Sequence, residues 1–211
     1  MSAAALVVTI VLIALALGLV AIERGRGGVK ELALVAALGA AAAAGRVLFA
    51  AIPSVKPVSV IVLVAGATLG ARAGFATGAI AALASNVVLG QGSWTPGQML
   101  FWGLTGVTGA VFAPVVRRPA GLAAVGVAWG FLFGWGMNLW TLATLGPQVS
   151  WSAMVALSST SIWFEVAHAA GNAVFALTIG PPLIRMLTRY SARIETDFVL
   201  EPGSGVVPSR E

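Results

Sequence analysis

Three polar residues late in the sequence have the types and the spacing of a ligand-binding or proton-transfer site. Glu165, His168 and Asn172 are three and four positions apart, so a helix carries them on one face. The segment around them is apolar, and an ionisable group in hydrocarbon is costly unless it is paired or hydrated. Two interpretations stay open: the three side chains hydrogen-bond a ligand, or Glu165 and His168 only satisfy Arg46 or a backbone carbonyl.

The same residues bear on metal binding and catalysis. Glu-x-x-His pairs occur in di-iron bundles, but those sites need several carboxylates, and Glu165 is the only acidic residue inside an apolar segment. The sequence has one histidine and no cysteine, and it contains no P-loop, no His-Glu-x-x-His and no Gly-x-Ser-x-Gly. We therefore expect no metal and no other cofactor, and a binding protein rather than an enzyme.

A second polar region lies between residues 86 and 102. There, amides, glycines, Trp94 and Pro96 interrupt the apolar sequence. The backbone of such a turn needs water or protein partners, which predicts the lip of a binding site at a membrane surface. This region and the polar residues of the other segments together supply the predicted substrate-binding residues. They are Arg46, Lys56, Asn86, Gln91, Trp94, Gln98, Trp102, Asn138, Trp163, Glu165, His168 and Asn172.

Composition and hydropathy predict an all-α protein that crosses a membrane several times. Hydrophobic residues make up 59% of the chain and charged residues 9%, against roughly 25% charged in soluble domains. We interpret residues 3–22 as a retained span rather than a cleaved signal, because no positively charged region precedes them. The predicted spans are about 3–22, 32–51, 58–70, 74–90, 98–115, 121–145 and 160–187.

The basic residues predict the orientation. If the 23–31 loop is cytoplasmic, all of the lysines and arginines except Arg46 and Lys56 fall on the cytoplasmic side. The amino terminus is then outside and the carboxyl terminus inside the cell. This pattern explains the net charge of +5 without nucleic acid as a partner. It also places the strongest polar residues of the spans in their outer halves, which predicts an outward-facing cup rather than a channel.

Several local patterns predict how the helices pack. The span at 58–70 is too short to cross a bilayer alone. Gly180-Pro181-Pro182 is expected to kink or break the last span. Gly103, Gly106 and Gly109 indicate close helix packing rather than a nucleotide-binding loop, because no strand precedes them. Trp129 and Trp151 are expected in an interfacial aromatic belt.

Alanines repeat every four positions along the second span. The repeats are Ala33, Ala37 and Ala41, and Ala36, Ala40 and Ala44. Small residues at this spacing let helix backbones approach closely. The two faces are enough for one contact inside the fold and one with a partner.

Four runs of the sequence carry a family resemblance: residues 55–58, 70–75 and 85–86, and Gly-Gln-Gly-Ser-Trp-Thr-Pro-Gly-Gln-Met at 90–99. They resemble the substrate-binding S components of energy-coupling factor (ECF) vitamin transporters. The resemblance covers about residues 32–190. The chain departs from that family in its additional amino-terminal span. It also has Ser93 and Gly97 where relatives have proline and tryptophan.

The resemblance implies a six-helix S-component-like core at 32–190. Residues 1–31 add one extra amino-terminal transmembrane helix and a basic loop to this core. We expect a disordered cytoplasmic tail at 191–211. The resemblance also implies a vitamin-like ligand, with cobalamin as the first expectation from the loop sequence. The implied partners are two ATPase subunits and a transmembrane coupling subunit that docks on the alanine face.

Two other functions stay open on the residues alone. One is a small intramembrane enzyme that acts on a lipid or isoprenoid, using Glu165 and His168 with Arg46 as an anion clamp. The other is a solitary proton-coupled carrier with Glu165 as its relay. Single-chain carriers usually show internal repeats, and none is evident here.

Overall fold

The computed structural model describes residues 2–23, 29–146 and 149–200, without the side chains of Glu23 and of residues 192–200. These parts of the chain are almost entirely helical. The helices are α1 Ala3–Glu23, α2 Val29–Leu48, α3 Val58–Leu69, α4 Ala71–Leu89, α5 Trp94–Val111, α6 Ala113–Val116, α7 Pro119–Thr144, α8 Trp151–Thr178 and α9 Gly180–Leu200.

Each predicted span overlaps a helix, and the fifth and the last each overlap two, but fewer helices can cross a membrane by themselves. Four helices, α1, α2, α4 and α7, are long and apolar enough in the part of the chain that is described, and α8 with the first part of α9 makes a fifth if the bent pair is one span. The prediction of an all-helical protein is therefore confirmed for the described residues, and the four or five long apolar helices are compatible with a multi-pass membrane protein. The arrangement of six core helices plus one stays a prediction.

The last predicted span is broken where its prolines indicate. Helix α8 ends at Thr178 and α9 begins at Gly180, and the two axes differ by 57°. Pro181 and Pro182 have no backbone N–H to continue the hydrogen-bond ladder of α8. Helix α9 continues to Leu200, past the expected start of a disordered tail at 191. Residues 201–211 lie outside the described residues.

Helix α3 is the centre of the bundle. It has twelve residues and is about 18 Å long at a rise of about 1.5 Å per residue. Ten of these residues are buried, from Val58 to Ala67, and every other helix except α1 packs against α3. A helix enclosed by protein does not need to match the bilayer thickness, which explains how this short apolar segment is accommodated.

Helices α3, α4 and α5 meet backbone to backbone at glycines. A Cβ atom on Gly74 would lie 2.7 Å from the Gly106 carbonyl oxygen, and one on Gly66 would overlap the same oxygen. Gly103 is covered by the ring of Phe75, and Gly109 by the backbone of Leu63. The predicted role of the 103, 106 and 109 glycines in close helix packing is confirmed.

Two predictions about exposed surfaces need correction. Both alanine repeats of α2 are exposed, because its buried face is instead formed by Val35, Leu38, Gly39, Ala42 and Ala43. Neither repeat therefore makes the expected contact inside the fold. Trp129 is only 7% exposed and lies in the core rather than in an interfacial belt, whereas Trp151 is 81% exposed.

The glycine contacts predict that alanine lowers the stability of the protein more at Gly106 than at Gly126. Gly106→Ala should lower the free energy of unfolding by roughly 1–3 kcal/mol, because its methyl group overlaps the backbone of Gly74. Gly126→Ala is the matched control in a buried helical position, since its Cβ atom would lie 3.4 Å from the nearest neighbour, on Asn172. Reversible unfolding in detergent, followed by circular dichroism, measures both. Equal losses for the two variants would contradict the packing described here.

Candidate functional site

A cavity of about 200 Å³ lies where α7 and α8 meet the loop before α3. Its wall combines apolar rings with polar and ionisable side chains. The lining residues are Ser54, Lys56, Gly130, Phe133, Gly134, Met137, Asn138, Ser161, Phe164, Glu165 and His168. Four of the predicted substrate-binding residues, Lys56, Asn138, Glu165 and His168, are therefore brought together.

Glu165 is held in the cavity wall by one of its two carboxyl oxygens. Ser161 Oγ donates to Glu165 Oε1 at 2.8 Å, and Asn138 Nδ2 donates to Ser161 Oγ at 2.9 Å. Glu165 is 2% exposed, and its Oε2 has no hydrogen-bond partner among the described residues. One oxygen of the Glu165 carboxyl group is thus hydrogen-bonded and the other has no partner among the described residues, which is rare for a buried polar atom.

Lys56 supplies a positive charge to the same cavity. Its side chain is half-buried and makes no ion pair with any residue that the structure describes. Burial, together with the smaller effect of the charge of Arg46, lowers the pKa of Lys56 from 10.5 to about 8. The ammonium form therefore predominates at neutral pH, and the charge is lost as the pH rises through about 8.

His168 is tied to the central helix. Its Nε2 lies 3.0 Å from Ser59 Oγ on α3, and its ring meets the Phe133 ring edge to face at 5.4 Å between centroids. His168 is 3% exposed. These contacts connect α8, α3 and α7 at one point of the cavity wall, so His168 has a structural role whether or not it also contacts a ligand.

Glycines of α7 bring α8 close enough to form this wall. A Cβ atom on Gly130 would lie 2.5 Å from Ala169 Cα, and one on Gly134 would lie 2.6 Å from Glu165 Oε1. Gly126 faces Asn172 one turn further along. The sequence analysis missed these glycines, although their spacing of four residues is a known signal for close packing of membrane helices.

Arg46 organises a separate hydrogen-bond network. Its Nη1 donates to Ser85 Oγ at 2.7 Å and to Asn86 Oδ1 at 2.6 Å. Asn86 Nδ2 in turn donates to Thr95 Oγ1 at 3.0 Å and to Gln98 Oε1 at 2.8 Å. These bonds join the ends of α2 and α4 to the start of α5. The predicted binding residues Arg46, Asn86 and Gln98 are thus bonded to one another rather than to the cavity.

Trp102 separates this Arg46 network from the cavity. The Arg46 guanidinium carbon lies 5.0 Å from the centroid of the Trp102 ring, a cation–π contact. The Phe133 ring, which lines the cavity, is stacked on the Trp102 ring with 4.7 Å between centroids. Trp102 itself is fully buried and does not line the cavity.

Four other predicted residues lie away from the cavity. Gln91 is exposed. Its Nε2 donates to the Leu83 carbonyl oxygen of α4, and its Oε1 accepts from Thr95 Oγ1 in the lip. Trp94 is 43% exposed, and Trp163 is 77% exposed, because it is two positions from Glu165 and thus on the opposite side of α8. Asn172 is buried, and its Nδ2 donates to the Gly126 carbonyl oxygen at 2.8 Å.

The two lip positions that depart from the ECF pattern contact the same side chain. Trp140 Nε1 donates to the Ser93 carbonyl oxygen at 2.8 Å. A Cβ atom on Gly97 would lie 2.7 Å from the Trp140 ring. Trp140 on α7 therefore occupies the space beside the lip, and a larger residue at 97 would displace it.

A larger groove of about 580 Å³ carries less specific chemistry. It runs between exposed residues of α7 and α8, among them Trp135, Trp151 and Val155, and only two serines make its lining polar. Such an apolar surface suits the acyl chains of a bilayer. Within the described residues, no three His, Asp or Glu side chains form a group that could hold a metal ion.

The Arg46 network predicts a stability effect at Asn86. Asn86→Ala removes an acceptor from Arg46 and a donor to Gln98, and should lower the free energy of unfolding by about 1–3 kcal/mol. Gln91→Ala is the control, because Gln91 is exposed, and its loss should cost less than half as much. Unfolding of the ligand-free protein in detergent measures both. An unchanged stability for Asn86→Ala would contradict a structural role for the network.

No protein-family model matches the chain, and searches of curated proteins and of solved structures found no match.

Proposed function

We propose that this protein captures a small solute in the Glu165 cavity and delivers it to a transport complex, as the substrate-binding S component of an ECF-type importer. The observation that carries the proposal is the cavity itself, in which the buried Glu165 has an unsatisfied oxygen and Lys56 has no ion-pair partner within the described chain. Buried polar groups without partners are typical of a site that a ligand completes.

The surface of α2 supports the second half of the proposal, docking on a transmembrane coupling subunit. All six alanines of the two repeats are exposed, so a facing helix could approach the backbone of α2 along the whole stripe. Two ATPase subunits bound to that partner would supply the energy. This part of the proposal rests on the resemblance of the sequence to S components.

The proposal includes an orientation in the cell membrane. The cavity would open outside, the carboxyl terminus would be cytoplasmic, and α1 would begin outside. The ion pair between Arg72 and Glu31 and the contact of Arg117 with Ala67 O would then lie near the cytoplasmic end. This agrees with the distribution of basic residues between the spans.

The size of the cavity bears on the choice of ligand. About 200 Å³ is less than the 300–1,000 Å³ that is common for ligand pockets, and far less than a corrin ring occupies. Among vitamins, a molecule with one or two small rings fits this space better than cobalamin. Cobalamin would require the lip and the α7–α8 hairpin to move apart.

The enzyme and carrier alternatives make different demands on the site. The enzyme alternative uses Arg46 as an anion clamp, but Arg46 does not line the cavity and is bonded to Ser85 and Asn86. The carrier alternative uses the unsatisfied oxygen of Glu165 for protons. It requires transport by the isolated chain in vesicles, driven by a pH gradient without ATP, whereas the S-component proposal requires the partner subunits.

The docking surface is tested by Ala37→Trp combined with Ala40→Trp. Both positions are exposed, so the isolated protein should fold and bind its ligand normally. Uptake in cells that contain the coupling complex should be abolished, because indole rings keep the facing helix away. The ligand is first identified by screening the purified chain against thiamine, biotin, riboflavin and cobalamin. Binding is measured by calorimetry, and uptake with the radiolabelled compound.

The control places the same bulk elsewhere on the membrane-facing surface. Val174→Trp with Leu177→Trp alters exposed positions of α8 and should leave uptake unchanged. Normal uptake in the α2 variant would contradict docking at the alanines. Uptake by the chain in cells that lack a coupling complex would contradict the S-component proposal as a whole.

A further inference from the structure

A carboxyl group and an amino group line one small cavity without pairing. Among the described residues, Glu165 Oε2 has no hydrogen-bond partner and Glu165 forms no ion pair with Lys56, although both line a space of only about 200 Å³. A buried carboxyl group and an ammonium group normally pair with each other or with another polar group. The ligand that fills the space between them is expected to satisfy both.

Glu165 and the backbone at Lys56 are supported by separate contacts. Glu165 is fixed by the Asn138–Ser161 hydrogen bonds and by its fit against Gly134. The backbone on either side of Lys56 is also packed. Pro57 lies against Gly45 of α2, and Val55 lies against Gly171 of α8, with 3.2 Å from Val55 Cγ1 to the Cβ position of Gly171. A site whose polar groups are supported in this way is preorganised to select a ligand by the positions of its charges.

We infer that the ligand is a small zwitterion: an N–H-bearing cationic group meets Glu165 Oε2, an anionic group meets Lys56, and a flat apolar frame lies between them. The frame is indicated by the rings of Phe133 and Phe164 in the cavity wall. This inference rests on the proposed function, in that the cavity is taken to be the binding site. It adds the chemical class of the solute.

Desolvation explains why both charges are needed. An anion alone would leave the Glu165 oxygen buried and unpaired, and a cation alone would leave Lys56 without a counterion. Asn138 does not replace either contact, because its Nδ2 is already used by Ser158 and Ser161. His168 Nε2 is used by Ser59. Because no described group bonds to Glu165 Oε2 or pairs with Lys56, a ligand or water is left to make both contacts.

The inference is tested with three probes of nearly equal shape. The first is the zwitterion 4-(aminomethyl)benzoate. The second is 4-ethylbenzoate, in which an ethyl group replaces the aminomethyl group. The third is 4-isopropylbenzylamine, in which an isopropyl group replaces the carboxylate. Calorimetry on the full chain in lipid nanodiscs, with empty nanodiscs as reference, measures the affinity of each probe.

The zwitterion should bind at least about ten-fold more tightly than either analogue. Glu165→Gln should remove its advantage over 4-ethylbenzoate while keeping the advantage over 4-isopropylbenzylamine, and Lys56→Met should do the reverse. Gln91→Ala, at an exposed position of the lip, should change neither ratio. This crossed pattern cannot come from a general loss of folding, which would weaken all three probes together.

Three outcomes of the probe assay would overturn the inference. One is equal affinity for the three probes, and another is an advantage of the zwitterion that both variants retain. The third is no binding of any probe by folded wild-type protein, which would mean that only water satisfies the two groups. If the vitamin screen instead finds a tight ligand with one charge or none, the zwitterion inference fails while the proposed capture function stands.

Discussion

The close approach of α8 to α7 is the constraint on which the site depends. Gly126, Gly130 and Gly134 present a face without side chains, and α8 packs on it with Asn172, Ala169 and Glu165. A side chain at Gly134 would occupy the space of the Glu165 carboxyl group. In a bilayer, such packing contacts replace the hydrophobic driving force that holds soluble bundles together. The same contact therefore assembles the helices and places a carboxyl group where no described residue satisfies both of its oxygens.

The polar residues of the bundle fall into two groups with different physical roles. In the Arg46 network, Arg46 Nη1, Ser85, Asn86 and Gln98 are linked by hydrogen bonds near the ends of α2 and α4 and the start of α5. In the cavity the opposite holds, because Glu165 Oε2 has no partner and Lys56 has no counterion among the described residues. Stacked Trp102 and Phe133 connect the two groups. A change in the network can thus reach the cavity wall without any contact between Arg46 and the ligand.

How far the sequence predicts this structure depends on the kind of signal. Hydropathy locates the helices well, because each long apolar segment has few alternatives in a membrane. The break at Gly180 and the close packing at Gly106 follow from the chemistry of proline and glycine. Which residues line the site is harder to predict, because this depends on how each helix is rotated about its axis. Asn86 and Gln98 look like ligand contacts in the sequence, but they bond to each other across two helices.

The alanine stripe illustrates the same limit. Spacing identifies two small-residue faces on α2, but it does not say that the core uses the intervening Val35, Leu38 and Ala42 instead. Conversely, Ser161 and Phe133 belong to no sequence motif. Their part in the site is shown only by the hydrogen bond of Ser161 to Glu165 and by the stacking of Phe133 on Trp102. Loop 49–57 is likewise unpredictable from periodicity, although its packing on Gly45 and Gly171 fixes the position of Lys56.

The most direct test of the account is an experimental structure of the protein with its bound ligand, obtained from material purified with the compound that the vitamin screen identifies. The account predicts ligand density in the cavity between α7, α8 and the loop before α3, within hydrogen-bonding distance of Glu165 Oε2 and Lys56 Nζ. The bond from Arg46 to Asn86 should be retained. A ligand bound at the lip beside Gln91 and Trp94, or one that replaces Asn86 as the partner of Arg46 while the cavity stays empty, would contradict it.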